Sequence, residues 1–165
     1  MDVPLGSRSA DRWEIERRRN DRQLLGMARF SFLVFGSTPW WLPLIKNHIG
    51  PLGQVLDMSF ILLCHRLPER TIEIAGNLMP VCSRCAGIYL GLALGAVLLW
   101  PKPTIPQARW GLLATGLVML ADVVTQDMGI HPVWHPTRLL TGALLGWVAS
   151  SALMAAIRRE RGMPL

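Results

Sequence analysis

The chain has 165 residues, of which 51% are hydrophobic and 17% charged, and its formal net charge is +6. This length suits a single domain. Lysine and arginine neutralise phosphates in nucleic-acid-binding proteins. Here, however, the arginines crowd the two ends of the chain and flank long apolar stretches, as in membrane proteins. The composition therefore argues against nucleic acid as a partner and in favour of membrane lipids.

The N-terminal segment, residues 1–26, carries the densest positive charge. Ser9 and Asp11 are N-cap candidates, and few helix breakers follow them. We expect a basic amphipathic helix on the cytoplasmic side, close to anionic headgroups. The first apolar run begins only after this segment and has no small-residue cleavage site. It therefore predicts an uncleaved anchor.

Four apolar stretches approach the roughly 20 residues that a helix needs to cross a bilayer. They are residues 28–45, 86–100, 110–128 and 139–157. A fifth stretch, residues 55–63, is short and contains Asp57, so it predicts an interfacial or re-entrant helix. The predicted fold class is all-α: a polytopic transmembrane helix bundle of four spans, with five as the alternative, and a Cys-containing loop. Residues 27–158 would form the transmembrane domain and residues 159–165 a cytoplasmic tail.

Charge asymmetry predicts the orientation of these spans. Both ends of the chain are rich in arginine, and an even number of spans places both in the cytoplasm of a bacterial-type inner membrane. Lys102 and Arg109 would share that side. The segments 46–85 and 129–138 would then face the other side.

Small residues recur every fourth position in two of the predicted spans. They are Gly87, Gly91 and Gly95 in the second span, and Gly142, Gly146 and Ser150 in the fourth. This spacing allows helix backbones to approach closely in lipid. It predicts packing of the second span against the fourth, and a homodimer through these faces is the alternative.

Polar residues from four separate stretches gather at the predicted non-cytoplasmic face. Ionisable groups are costly in a bilayer and are rarely kept there without a partner or a function. Asp122 would lie about 9 Å inward of Met128, with Arg84 and Arg138 as available partners. A helix-locking ion pair is the structural alternative to a functional role.

Three cysteines carry the strongest chemical signal. Cys82 and Cys85 form a CxxC motif at the start of a predicted helix, behind a predicted short hairpin over residues 71–81. Two thiolates after a hairpin are typical of zinc ribbons. We predict a zinc or iron site with Cys64, Cys82 and Cys85 as ligands and His65 completing the set. Asp122 is a further candidate ligand, as are His131 and His135, although prolines 132 and 136 predict that these two histidines lie on a non-helical loop.

Several functions remain open for this site. In an enzyme, metal-activated water would act on a lipid-linked or headgroup substrate, with Asp122 as base beside Gln126 and with Arg84 or Arg138 close by. A metal sensor or carrier with an unknown protein partner is a second function. A thiol–disulfide oxidoreductase that uses Cys82, Cys85 and quinone is a third. A structural subunit with a disulfide-stabilised loop is a fourth.

Four motifs together resemble a known family. They are CHRLPER at 64–70, PVCSRCAGIYLG at 80–91, Asp122-x-x-Thr125-Gln126 and Arg138-x-x-Thr141-Gly142. Over about residues 55–150 the chain resembles the predicted bacterial membrane proteins known as domain of unknown function 2085. The resemblance implies a bundle of four or five spans and no assigned activity. The chain departs from the family pattern at His135-Pro136-Thr137, where Ser/Thr-Asn is usual, and at Thr71, where Ser is usual.

Overall fold

The structure is a computed structural model that describes residues 5–98 and 103–161, with side chains from residue 13 onward. Five α-helices account for most of it. They are α1 (Leu5–Ile45), α2 (Pro51–Ser59), α3 (Ser83–Val97), α4 (Ile105–Asp127) and α5 (His135–Glu160). Short 3-10 turns occupy Phe60–Leu62 and Pro68–Arg70, and strands β1 (Glu73–Ile74) and β2 (Asn77–Leu78) form an antiparallel hairpin.

Two of these helices, α4 and α5, are long and apolar enough to cross a membrane. They coincide with the third and fourth predicted spans. The 15 residues of α3 rise only about 22 Å, and residues 99–102, which include the end of the second predicted span, lie outside the described residues. The apolar part of α1 contains Pro39 and Pro43. The count of four spans therefore stays a prediction.

The basic N-terminal segment and the first predicted span form one continuous helix, α1. The predicted boundary after residue 26 does not coincide with a break in this helix. Residues 1–4 and 162–165, at the ends of the predicted cytoplasmic segments, lie outside the described residues. The short apolar stretch forms α2 and the 3-10 turn that follows it, in agreement with a helix too short to span.

Helix α3 lies at the centre of the bundle, between α1 and α5, and α4 packs against α5. A Cβ atom added at Gly91 would lie 2.1 Å from the carbonyl oxygen of Ala143, and one at Gly146 would lie 2.2 Å from that of Ile88. The predicted small-residue faces thus pack α3 against α5 within one chain. A homodimer through the same faces would need a surface that these two helices already bury.

Both arginine-rich ends of the described chain lie at one end of the bundle. Arg161, just after α5, approaches Asp21 of α1 with 3.7 Å between Nη1 and Oδ1. At the opposite end, α1 and α4 finish and α3 and α5 begin. The connecting segments that carry the cysteines are therefore gathered at that second end.

Candidate metal centre at one end of the bundle

Cys64, Cys82 and Cys85 form a compact group, called here the thiol cluster. Their three Sγ atoms all lie within 4.8 Å of one another. Cys64 is buried, whereas Cys82 and Cys85 are partly buried. The backbone N–H of Cys82 donates a hydrogen bond to Sγ of Cys64 over 3.3 Å. The structure thus brings together the three thiols that the sequence predicts as ligands.

The hairpin delivers Cys82 to the start of α3. Its two-residue turn has positive φ at Ala75 (51°) and Gly76 (75°), which is characteristic of the type I′ turns that suit tight hairpins. After the hairpin, Met79 and Val81 are fully buried in the core. This anchoring fixes the position of Cys82, the N-cap residue of α3.

His65 does not join the thiol cluster. Its side chain is exposed, but it lines a cavity of about 250 Å³ that all three cysteines also line. His131 bonds to Thr125, with 3.0 Å between Nε2 and Oγ1. His135 is the first residue of α5, so it does not lie on a loop as predicted. The helix can include Pro136 because backbone N–H groups in the first turn have no helical partner, and proline lacks that N–H. Neither histidine lies in the cluster.

A buried polar network connects α3, α4 and α5 beside the cysteines. Arg84 donates to the Asp122 carboxylate and, over 3.4 Å, to Oε1 of Gln126. Arg138 donates to the same Gln126 oxygen over 3.1 Å. The partner of Asp122 is therefore Arg84 and not Arg138. Asp122 is engaged in this network and contributes nothing to the thiol cluster.

Arg138 is 3% exposed and has no carboxylate within 4.0 Å among residues 13–98 and 103–161, whose side chains the structure describes. Its charge acts on Cys82. The pKa of the Cys82 thiol lies below its ordinary value, chiefly because Cys85 donates a hydrogen bond to it, and Arg138 contributes in the same direction while burial opposes both. The surroundings therefore favour a thiolate at this position.

Two further ion pairs at this end of the bundle were not predicted from the sequence. Nη1 of Arg66 lies 2.8 Å from Oδ2 of Asp57, and Nη2 of Arg70 lies 3.4 Å from Oδ1 of Asp127. Arg66 has a positive φ of 46°. This left-handed residue turns the chain two residues after Cys64, and no sequence pattern signals such a conformation in an arginine.

Comparison with known proteins identifies the family. The family model described as predicted membrane protein (DUF2085) matches residues 64–152. An uncharacterized protein of Methanocaldococcus jannaschii is 32% identical over 130 residues, which cover 71% of this chain and 81% of the relative. An uncharacterized protein of Methanothermobacter thermautotrophicus is 41% identical over 91 residues, covering 54% of this chain and 82% of the relative. No solved structure gives a significant match.

Both of these relatives are archaeal, so they do not support placing the chain specifically in a bacterial inner membrane. The matched residues 64–152 contain the whole thiol cluster and the buried polar network. They exclude Asp57, the partner of Arg66. The chain belongs to the DUF2085 family of predicted membrane proteins.

Proposed function

We propose that this protein is a polytopic membrane protein that binds one transition-metal ion, zinc or iron, through the thiolates of its thiol cluster. The observation that carries the proposal is the approach of all three Sγ atoms to within 4.8 Å. Sulfurs bound tetrahedrally to zinc at about 2.3 Å lie roughly 3.8 Å apart. The cluster needs only a small contraction to reach that spacing.

Charge balance also supports a divalent ion. The ion pair of Arg84 with Asp122 is neutral, so Arg138 leaves one positive charge in the buried network. A divalent ion with three thiolates carries one negative charge. Since buried charges are costly unless they are compensated, Arg138 and the metal–thiolate group suit one another. A disulfide with one thiol would leave Arg138 uncompensated.

The fourth coordination position would face the cavity. His65 lines that cavity and would fill the position if its side chain turned toward the three sulfurs, which gives a closed structural site. A position left to water or substrate is instead typical of catalytic zinc. We assign Arg84, Asp122, Gln126 and Arg138 to holding the electrostatic surroundings of the cluster, because Arg84 donates to Asp122 and both arginines donate to Gln126.

For the membrane, we propose four spans with both arginine-rich ends in the cytoplasm. From Asp21 to Ile45, α1 rises about 36 Å, and from Arg138 to Arg161 the last helix rises about 35 Å. These lengths match a bilayer with its interfaces. Helix α3 lies between them, and exposed apolar residues cover α4, including Trp110 and Leu117. The thiol cluster would then face the non-cytoplasmic side.

Elemental analysis of the detergent-purified protein tests the metal. We expect about one zinc or iron per chain in the parent protein and none in Cys82→Ser/Cys85→Ser, because two of three thiolates would be lost. The variant His48→Gln is the control, since His48 is exposed and lies outside the cavity. His65→Gln reports on the fourth ligand. Equal metal in the parent and the double cysteine variant would contradict the proposal.

A membrane thiol–disulfide oxidoreductase is the second candidate. The lowered pKa of Cys82 beside two further thiols favours it, because a thiolate is the reactive form in disulfide exchange. Cys82 and Cys85 would then form a disulfide and pass two electrons and two protons to quinone. A metal-free protein whose thiols are alkylated only after reduction, and whose disulfide forms again on addition of quinone, would establish this function in place of the first.

A further inference from the structure

The cavity beside the thiol cluster has a positively charged lining. It has a volume of about 250 Å³ and is lined by four arginines, Arg66, Arg70, Arg84 and Arg138, while no aspartate or glutamate lines it. Sites for drug-sized ligands occupy roughly 300–1,000 Å³. This cavity is therefore suited to an ion or to a single headgroup.

Three of the four arginines belong to ion pairs that are oriented alike. The pairs are Arg66–Asp57, Arg70–Asp127 and Arg84–Asp122. In each pair the arginine lines the cavity and the aspartate does not. Each pair thus presents its positive end to the cavity. The N-terminus of α3, which also carries partial positive charge, begins at the same place.

We infer that this cavity binds a phosphate-bearing ligand, with Arg66 and Arg70 as its direct contacts. The side chains of these two arginines are 21% and 36% exposed, so they form the accessible rim, whereas Arg84 and Arg138 are buried in the floor. Guanidinium groups bind phosphate oxygens in pairs of parallel hydrogen bonds. The inference deepens the proposed function, on which it rests for the placement of the cavity at a membrane face.

The surroundings of the rim favour a lipid headgroup as the source of this phosphate. Leu62, Leu63 and Leu67 are 90%, 62% and 44% exposed, and the last two also line the cavity. Leu52 and Val55 of α2 are likewise exposed. An exposed apolar surface beside a basic site is typical of elements that lie in the membrane interface. Acyl chains on this surface would bring a headgroup to the arginines.

Lipid titration followed by native mass spectrometry tests the inference. The full-length protein in detergent is titrated with phosphatidylglycerol, with phosphate-free diacylglycerol, and with inorganic phosphate as competitor. The test variant is Arg66→Gln/Arg70→Gln, and Arg66→Lys/Arg70→Lys keeps the charges and ion pairs while removing the forked geometry. Arg109→Gln is the matched control, since it removes an exposed arginine at the opposite end of α4.

We expect the parent protein and Arg109→Gln to bind phosphatidylglycerol equally. The double glutamine variant should bind it about tenfold more weakly or worse, because charged hydrogen bonds are lost, and the lysine variant should be intermediate. Displacement by inorganic phosphate, or binding of inorganic phosphate alone, would identify free phosphate as a source of the same chemistry. Equal binding by all variants, or equal binding of diacylglycerol, would overturn the inference.

Metal content measured on the same samples separates the two proposals. If the metal is retained but lipid binding does not depend on Arg66 and Arg70, the phosphate site alone is overturned. Arginine-dependent phosphate binding by a metal-free protein overturns the metal site alone. Retained metal in the double glutamine variant also shows that this variant is folded.

Discussion

Asp122 is the residue on which the buried polar network depends. Its carboxylate is the only acidic group among the described residues that pairs with Arg84, and the two side chains are 11% and 10% exposed. Removing one partner from a buried ion pair leaves the other charge uncompensated, which costs more than the pair contributes while intact. Asp127, five residues further along the same helix, is paired with Arg70 at the surface, where the side chains are 56% and 36% exposed.

These two aspartates give a matched test of burial. We expect Asp122→Asn to lower the free energy of unfolding by about 3 kcal/mol or more, and Asp127→Asn to lower it by less than about 1 kcal/mol. Thermal unfolding in detergent, followed by circular dichroism, measures both variants. Equal losses would show that Arg84 does not depend on Asp122 in the folded protein. The metal content of Asp122→Asn would also show whether metal binding by the thiol cluster requires this ion pair.

At the scale of secondary structure, the contact between α3 and α5 leaves no room for a side chain at four of its glycines. Their backbones approach so closely that a Cβ atom at Gly87, Gly91, Gly142 or Gly146 would meet carbonyl oxygens of the other helix at 2.1–2.2 Å. Backbone atoms cannot move aside as a flexible side chain can. The two helices would have to separate, and they carry Cys85 and Arg138 respectively.

Gly91→Ala tests this contact, with Gly116→Ala of α4 as its control. A Cβ at Gly116 meets nothing within 4 Å, so we expect the control to be neutral or to stabilise the protein by up to about 1 kcal/mol, as alanine does in helices. Gly91→Ala should destabilise by about 1–3 kcal/mol, as overpacked sites do. Thermal unfolding measures both changes. Similar values for the two variants would mean that α3 and α5 are further apart than in this structure.

At the scale of the whole molecule, the bundle has two chemically different ends. One end holds the arginine-rich terminal regions and the pair of Asp21 with Arg161. The other holds the thiol cluster, the cavity and the hairpin. In the proposed four-span arrangement these ends would face opposite aqueous compartments, and the density of arginine predicts that the first end is cytoplasmic.

Epitope tags at the two termini and in the 129–133 loop test this arrangement. In inverted membrane vesicles we expect protease to remove both terminal tags and to spare the loop tag, because four spans return the chain to its starting side. Right-side-out vesicles or cells should give the opposite pattern, which controls for protection by folding. Terminal tags with different accessibility would mean an odd number of spans.

Much of the site could be predicted because membrane burial makes polar residues informative. An ionisable group such as Asp122 in an apolar stretch implies a partner, and the CxxC motif implies two neighbouring thiols. The choice between Arg84 and Arg138 as the partner of Asp122 could not be predicted. That choice depends on how α3 and α5 are rotated relative to α4. The spacing of residues along each helix does not determine this rotation.

Apolar stretches, turn residues and the spacing of small residues were enough to predict helical stretches, the short helix after α1, the hairpin and the close packing of α3 on α5, because each of these patterns is visible along the sequence itself. Cys64 is likewise predicted from the sequence as a ligand beside the CxxC motif. The separation of His65 from the thiol cluster and the alignment of the arginines around one cavity depend instead on contacts between residues far apart in the chain. Three-dimensional packing sets those contacts. The ion pair of Arg66 with Asp57 is one example, because it forms through a left-handed turn that no residue pattern predicts.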